Sequence, residues 1–383
     1  MMARLLQIDS MIGFHEGTTM LIDSTLREGL QARGVYLDGK ERAELASLIS
    51  GAGVRELEIG WAGRGEDLRE AVAATLRAGA RPLIWSMARR ISLEESARTG
   101  TPAVTVCVPA SQRHQQERFG LDSAQVEDWL FETVSDARKL FDFVQVGLED
   151  ASRANRVSLG ALAKVAHLAG ADRLRIADTV GLLSPSEVAK LVRDVKQAMP
   201  LPLCVHMHND LGMATANSVA ALEAGAYAVD TTLLGKGERS GIACTEEVAA
   251  WGVVRQGAPF DLQKIRLACQ WFATVSKFEI ASNKAVAGEG IFSAESGIHV
   301  DALGRDPSLY EPWSPERTGH VRHTELGAKS GRAAVRRKLH ELGLSEPVEI
   351  DSLVDEIRLQ GSRLRRPLRE DELRTMVGES RAD

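Results

Sequence analysis

Between residues 20 and 255 a short apolar, β-branched run recurs eight times, each followed by a longer stretch of helical character. The runs fall at residues 20–24, 54–60, 82–87, 103–109, 141–147, 173–179, 203–208 and 228–233. Continuous apolar runs of this length read as strands buried on both faces, which a parallel sheet covered by helices requires. The intervening stretches carry helix start signals. Asp38-Gly39-Lys40-Glu41 is a capping box ahead of Leu45, Leu48 and Ile49 on one face. Ser184-Pro185-Ser186-Glu187 is another, ahead of Val188, Leu191, Val192 and Val195. Eight such units in about 240 residues fit an α/β chain folded as a (β/α)8 TIM barrel, with a doubly wound open sheet as the structural rival.

Beyond the repeat the texture changes. Residues 261–278 read as one more helix, and residues 282–331 are rich in Gly, Ser, Pro and His with little periodicity. A segment this long without regular pattern but with His, Tyr and Trp reads as functional. Helical, charged patterning returns at 333–342, 350–359 and 370–376. The expected organisation is a catalytic barrel over residues 1–258, a lid subdomain over 259–331 and a small, mostly helical C-terminal subdomain over 332–383. Composition narrows the function. With 44% hydrophobic and 26% charged residues the chain is neither disordered nor fibrous. A net charge of −6 leaves no basic surplus to neutralise phosphates, so a nucleic-acid partner is not expected. No apolar run approaches the ~18–20 residues of a membrane span, and the first residues lack a signal-peptide core. Four scattered cysteines without a CxxC pair indicate neither a disulfide framework nor a structural zinc site, and a reducing cytoplasm is expected.

In a barrel the chemistry sits at the carboxyl ends of the strands. Read in order, these ends give Asp23 to Gln31, Glu56 to Gly60, Glu149-Asp150, Asp178-Thr179, His206 to Asp210 and Gly235 to Arg239. His206 and His208, two apart on a strand, point to the same side and suit one metal ion, although a pair of hydrogen-bonded core histidines has the same spacing. Glu28 supplies a carboxylate, with Asp23 as a second candidate. Two imidazoles and one carboxylate leave coordination positions open for substrate oxygens. Arg27 beside Glu28 suits stabilisation of an oxyanion, and Glu58 and Glu149 each need a cationic or metal partner.

These stretches, together with Ala214 to Asn217 and Ser293 to Ala302, resemble the acyl-CoA-dependent Claisen synthases of the metal-dependent barrel lyases: the homocitrate, isopropylmalate and citramalate synthases. The resemblance covers about residues 21–331 in the right order. It implies a barrel followed by small C-terminal subdomains and a homodimer with shared active sites. It implies a divalent metal ion (Mg, Mn, Zn or Co) on Glu28, His206 and His208, with acetyl-CoA as co-substrate. By the same resemblance the 2-oxo acid chelates the metal, Thr179 binds its carboxylate, and Arg27 with Gln31 steadies the developing oxyanion. Glu58 is placed among the substrate contacts. His299 and Tyr310 match the segment that family dimers place over a partner's barrel mouth, and His299 with Glu149 would deprotonate the acetyl methyl group.

Within the family, homocitrate synthases fit best, through Glu28 and the stretch from Leu234 to Ile242. Pocket positions depart from that pattern. Gln145 and Gly147 stand where an Arg and a Ser hold the distal carboxylate of 2-oxoglutarate, and Met87 stands where an Arg is common. Arg64 or Arg89 is therefore the candidate for a distal carboxylate or phosphonate, with 2-oxoglutarate the favoured substrate and phosphonopyruvate, 2-oxoisovalerate or pyruvate as alternatives. Trp61, Trp85 and Met87 offer the competing apolar pocket. A lyase running the carbon–carbon chemistry in reverse, or a silent barrel used for binding, are the readings from other classes; the Gly-Glu-Arg loop and the intact ligand set argue against them.

Overall fold

The computed structural model describes residues 20–62 and 68–378. Eight strands, β1 (Met20–Asp23), β2 (Glu56–Trp61), β3 (Arg81–Met87), β4 (Ala103–Pro109), β5 (Phe143–Glu149), β6 (Arg173–Asp178), β7 (Leu203–Met207) and β8 (Ala228–Thr231), pair in chain order. Parallel pairing of β1 with β8, Ile22 opposite Asp230, closes the barrel and excludes the open sheet. Each strand falls on its apolar run. Offsets reach two residues at β2, β5 and β8; at β5 the reason is that Phe141 still caps the Ser123–Leu140 helix, its N–H donating to the Ala137 carbonyl at 3.0 Å.

The helices start where their caps put them. Asp38 Oδ1 accepts the Glu41 N–H and Glu41 returns the bond to the Asp38 N–H, both at 2.8 Å, opening the Gly39–Gly51 helix. That helix buries Leu45, Ala46 and Ile49 against the barrel and is capped at Ala52, with Gly53 just beyond. Gly53 has φ +100°, and a Cβ there would lie 2.9 Å from the Pro259 carbonyl oxygen, so both backbone and packing require glycine.

The barrel interior departs from aliphatic layering. Arg173 reaches across from β6 to Glu56 on β2, with contacts of 2.6 and 3.2 Å. Two residues on, Arg175 reaches Glu58 on β2 and Asp230 on β8, each at 2.8 Å. All five side chains are buried. Burial alone would raise the Glu56 carboxyl, but Arg173 and then Arg81 outweigh it and hold it below the usual carboxylate range.

The chain divides into two compact units, Met1–Ile280 and Ala281–Asp383, so the boundary expected at 258 falls later. The Leu262–Val275 helix belongs to the barrel unit because its apolar face, with Ile265, Ala268 and Phe272, is buried and Trp271 Nε1 donates to Glu44 at 3.0 Å. The second unit has one core rather than a break at residue 331. Val300 and Leu326 cluster with Val335, Leu339, Leu353 and Ile357. A two-stranded sheet of Ser293–Ala294 and His323–Thr324 and helices Gly297–Arg305, Arg332–Glu341, Ile350–Leu364 and Glu370–Met376 build it. Among the described residues no helix is long and apolar enough to cross a membrane.

Candidate active site

At the end of β1 the chain turns sharply, the Arg27 and Glu28 N–H groups both returning to the Ser24 carbonyl at 3.0 and 2.7 Å. The turn puts Arg27 and Glu28 into the carboxyl-terminal mouth, facing His206 and His208 from β7. The two imidazole centroids are 5.0 Å apart. Potential ligand atoms of Glu28, His206 and His208 all lie within 4.8 Å of one another. Second contacts aim them. His206 Nδ1 meets Asp230 Oδ2 at 2.9 Å, and Glu28 Oε1 accepts the Glu238 N–H at 3.0 Å.

Electrostatics complete a donor set. Burial, followed by the neighbouring His206, lowers His208 to about 3, so its imidazole is neutral with a free lone pair. Burial pulls the Glu28 carboxyl up, yet Arg27 and then the two imidazoles outweigh it and hold it at about 2, ionised. The buried Nδ1 of His208 has no hydrogen-bond partner. Two imidazoles, one of them with an unpartnered buried nitrogen, and one carboxylate suit a divalent cation with open positions. Asp23, the other candidate, is not part of this set. It accepts from Thr25 N–H at 2.8 Å and Thr245 Oγ1 at 2.7 Å, and burial raises it to about 6.

Arg27 is clamped on both sides, Nε to Glu58 and Nη1 to Glu28, each at 2.5 Å, with Gln31 Oε1 at 3.3 Å from Nη1. Glu58 is spent on this clamp. Its carboxylate also takes Arg175 and the Ser24 hydroxyl, so it positions Arg27 and does not line the cavity as a substrate contact. Thr179 lines the cavity, and its Oγ1 accepts the Asp150 N–H at 2.9 Å, leaving the hydroxyl proton free to donate. Glu149 also lines it and pairs with Arg118, with His114 Nδ1 at 3.6 Å. Arg239 bridges the loops, bidentate to Asp210 at 2.9 Å.

Other expected residues are elsewhere. Arg89 is exposed at the start of the Arg90–Ala97 helix with its Nη2 on the Met87 sulfur, outside the cavity lining. It is the extended N-cap residue ahead of that helix, with its side chain in solvent. Arg64 lies outside the described residues. His299 and Tyr310 belong to the second unit, where their rings meet at 4.5 Å between centroids and both are exposed. Sequence reasoning missed Arg118 and, above all, Arg175 with Asp230. The signal was present: charged residues two apart on β6, Arg173 and Arg175, match Glu56 and Glu58 two apart on β2. The cavity itself is about 210 Å³, its far wall formed by Trp61, Trp85, Cys107 and Gly147.

A closed parallel barrel whose mouth brings two histidines and a carboxylate within ligand distance of one another defines the class of fold and site. An HMGL-like family model matches residues 18–271, and a model described as homocitrate synthase post-HMGL domain-like matches residues 286–363. The chain belongs to the HMGL-like family, in the group that holds homocitrate and isopropylmalate synthases. The 2-isopropylmalate synthase 2 of Caldanaerobacter subterraneus subsp. tengcongensis is 36% identical over 359 residues, 92% of this chain and 93% of its own. A homocitrate synthase of Frankia sp. is 36% identical over 368 residues, 94% of this chain and 90% of its own. The fold is shared with the hydroxymethylglutaryl-CoA lyase of Pseudomonas aeruginosa, at TM-score 0.63 and 19% identity, covering 71% of this chain and 96% of that one.

Proposed function

We propose that the protein is an acyltransferase that condenses acetyl-CoA with a 2-oxo acid, 2-oxoglutarate giving homocitrate, and releases free CoA. The observation that carries the reading is the convergence of Glu28, His206 and His208 beside the clamped Arg27 in one cavity. The match of residues 286–363 to a homocitrate synthase domain supports the choice of product. Glu28, His206 and His208 would hold a divalent cation. When bound, it supplies Lewis-acid polarisation of the keto carbonyl.

The chain's own groups divide the remaining work. Thr179 donates its hydroxyl to the oxo acid's carboxylate. Arg27 keeps Nη2 without a partner among the described residues and donates to the thioester oxygen as negative charge develops there. Glu149 with His299 takes the methyl proton of acetyl-CoA; the carbanion then forms the new bond to the keto carbon, whose C=O π pair moves onto the oxygen and takes up a proton there as the hydroxyl. Water finally breaks the C–S bond, giving a carboxylate and free thiol. A weakly acidic methyl group needs both the base and the oxyanion donor. The working form is a homodimer in which the segment from Ser293 to Tyr310 of one copy serves the barrel mouth of the other. Exposed Ile298, Leu309 and Tyr310 in that stretch give it an apolar surface to bury.

Thiol release from acetyl-CoA, followed with 2-oxoglutarate, phosphonopyruvate, pyruvate and 2-oxoisovalerate, tests the reading. Activity is expected with 2-oxoglutarate and should vanish after exhaustive chelation; full activity without metal would sink the ligand assignment. Mixing His299→Ala with Glu28→Ala chains should restore activity if the sites are shared. A second reading has an observation of its own. Trp61 and Trp85 pack edge to face, 4.7 Å between centroids, and would suit the branched tail of 2-oxoisovalerate.

A further inference from the structure

The geometry points to Arg175 as the residue that holds the distal carboxylate of the oxo acid and thereby selects a dicarboxylic substrate, a role that rests on the condensing function proposed above. Arg175 is 3% exposed, yet it lines the cavity. Both of its bonds to carboxylates run through Nη1, to Glu58 and Asp230. Nη2 meets only the Cys107 sulfur, at 3.7 Å, and Nε has no acceptor among the described residues. Nε with one Nη is the pair that grips a carboxylate through two parallel bonds.

Its surroundings keep that edge uncovered. Cys107, Gly147 and Arg175 stand opposite one another across β4, β5 and β6, forming one row of the barrel wall. A Cβ on Gly147 would lie 3.7 Å from Arg175 Nε and 2.4 Å from Cys107 Sγ. Any larger residue at 147 would thus displace the thiol and crowd the edge. The row lines the same cavity as Glu28, which follows β1 across the barrel, and as His206 and His208, at the end of β7 beside β6. An oxo acid bound at those residues by its keto end extends its tail toward the row. The other lining cation on this side, Arg118, is already paired with Glu149 and its side chain is 49% exposed, so it offers a more solvated site.

Two measurements separate this inference from the condensing function. Calorimetric titration of the manganese-loaded protein with 2-oxoglutarate and with 2-oxopentanoate, which lacks the distal charge, reads binding directly. Thiol release reads turnover. The wild type should bind 2-oxoglutarate at least about 100-fold more tightly than 2-oxopentanoate. Arg175→Lys keeps a charge for Glu58 and Asp230 but loses the fork, and should collapse that ratio toward one. Should Arg175→Lys fail to fold, Cys107→Ala/Gly147→Ala is the second variant. It moves one heavy atom from position 107 to 147, covers Nε, leaves the ion pairs intact and should lower the ratio likewise.

Three results would overturn the inference: equal or tighter binding of 2-oxopentanoate by the wild type, equal weakening of both ligands in the variants, or a ratio lost in Arg118→Ala but kept in Arg175→Lys. If no oxo acid releases CoA while the charge-dependent binding and its loss persist, the condensing function falls and the Arg175 subsite stands.

Discussion

Arg173 and Arg175 stand two residues apart on β6 and reach two glutamates that stand two apart on β2, yet the two rows they form are not equivalent. In the deeper row every guanidinium nitrogen of Arg173 is bonded. Nε donates to Gln145 at 2.5 Å, and Nη1 and Nη2 grip Glu56. The Phe143 ring covers the guanidinium face at 4.9 Å. In the upper row Arg175 spends one nitrogen on two carboxylates, and Glu58 passes the connection on to Arg27. A saturated buried ion pair can only hold structure, whereas one with donors left over can also meet a ligand. Position along the strand decides which: the deeper row is sealed and the upper one borders the cavity.

Breaking the deeper row should have the largest effect. Among the described residues Glu56 is the sole carboxylate bonded to Arg173, so Glu56→Leu strands a buried charge. We expect a loss of about 3–5 kcal/mol in urea unfolding, against which a loss under 1 kcal/mol would remove the distinction between the rows. Glu58→Gln should behave differently, because Arg27 keeps Glu28 and Arg175 keeps Asp230. Here the damage is expected in kcat, about 100-fold through a loosened Arg27, with a smaller loss of stability than in Glu56→Leu. Equal loss of stability in both variants would make the upper row structural as well.

Asp23 sharpens the comparison as a buried carboxylate without an arginine. Burial wins there and raises it to about 6 from 3.8, opposite to Glu56. A raised acid pKa means that the folded state holds the proton more tightly. Its stability cost is therefore absent at low pH, grows as pH rises from 3.8 to 6, and is complete above 6. Asp23→Asn should gain on the wild type by about 2 kcal/mol in unfolding free energy between about pH 4.5 and 7.5. A pH-independent difference would contradict the assignment. Smallest of all is the solvent-facing cap. Asp38→Ala should cost about 1 kcal/mol and leave kcat unchanged, because its bonds to Glu41 satisfy helix-end donors far from the mouth.

The sequence was informative wherever a local rule governs. Eight apolar runs specify eight strands because a strand buried on both faces must be apolar along its length, and the capping residues fix where helices start. His206 and His208 were legible because the two-residue strand period alone puts them on one side. Arg27 and Glu28 were legible as residues of a strand end, though not as a clamp, since Glu58 comes from another strand.

What remained hidden shares one cause. Arg89 follows β3 in sequence and was a reasonable cation for the mouth, but as the extended N-cap residue ahead of the next helix it has its side chain in solvent. Asp23 and Glu28 are five apart on one turn, and only the loops from β8 decide that Asp23 faces Thr245 and Glu28 faces Glu238. Arg175 reads in sequence as a charge in a strand. It becomes a crossbar because closure of the barrel brings β2 and β8 within reach of β6, residues 58 and 230 onto residue 175. Periodicity, caps and strand-end chemistry are properties of neighbours along the chain, and the sequence by itself determined the eight strand–helix units and put the two histidines on one side. Which charges pair, and which keep a free edge toward the cavity, depends on distances across the barrel, and only the tertiary structure decided those.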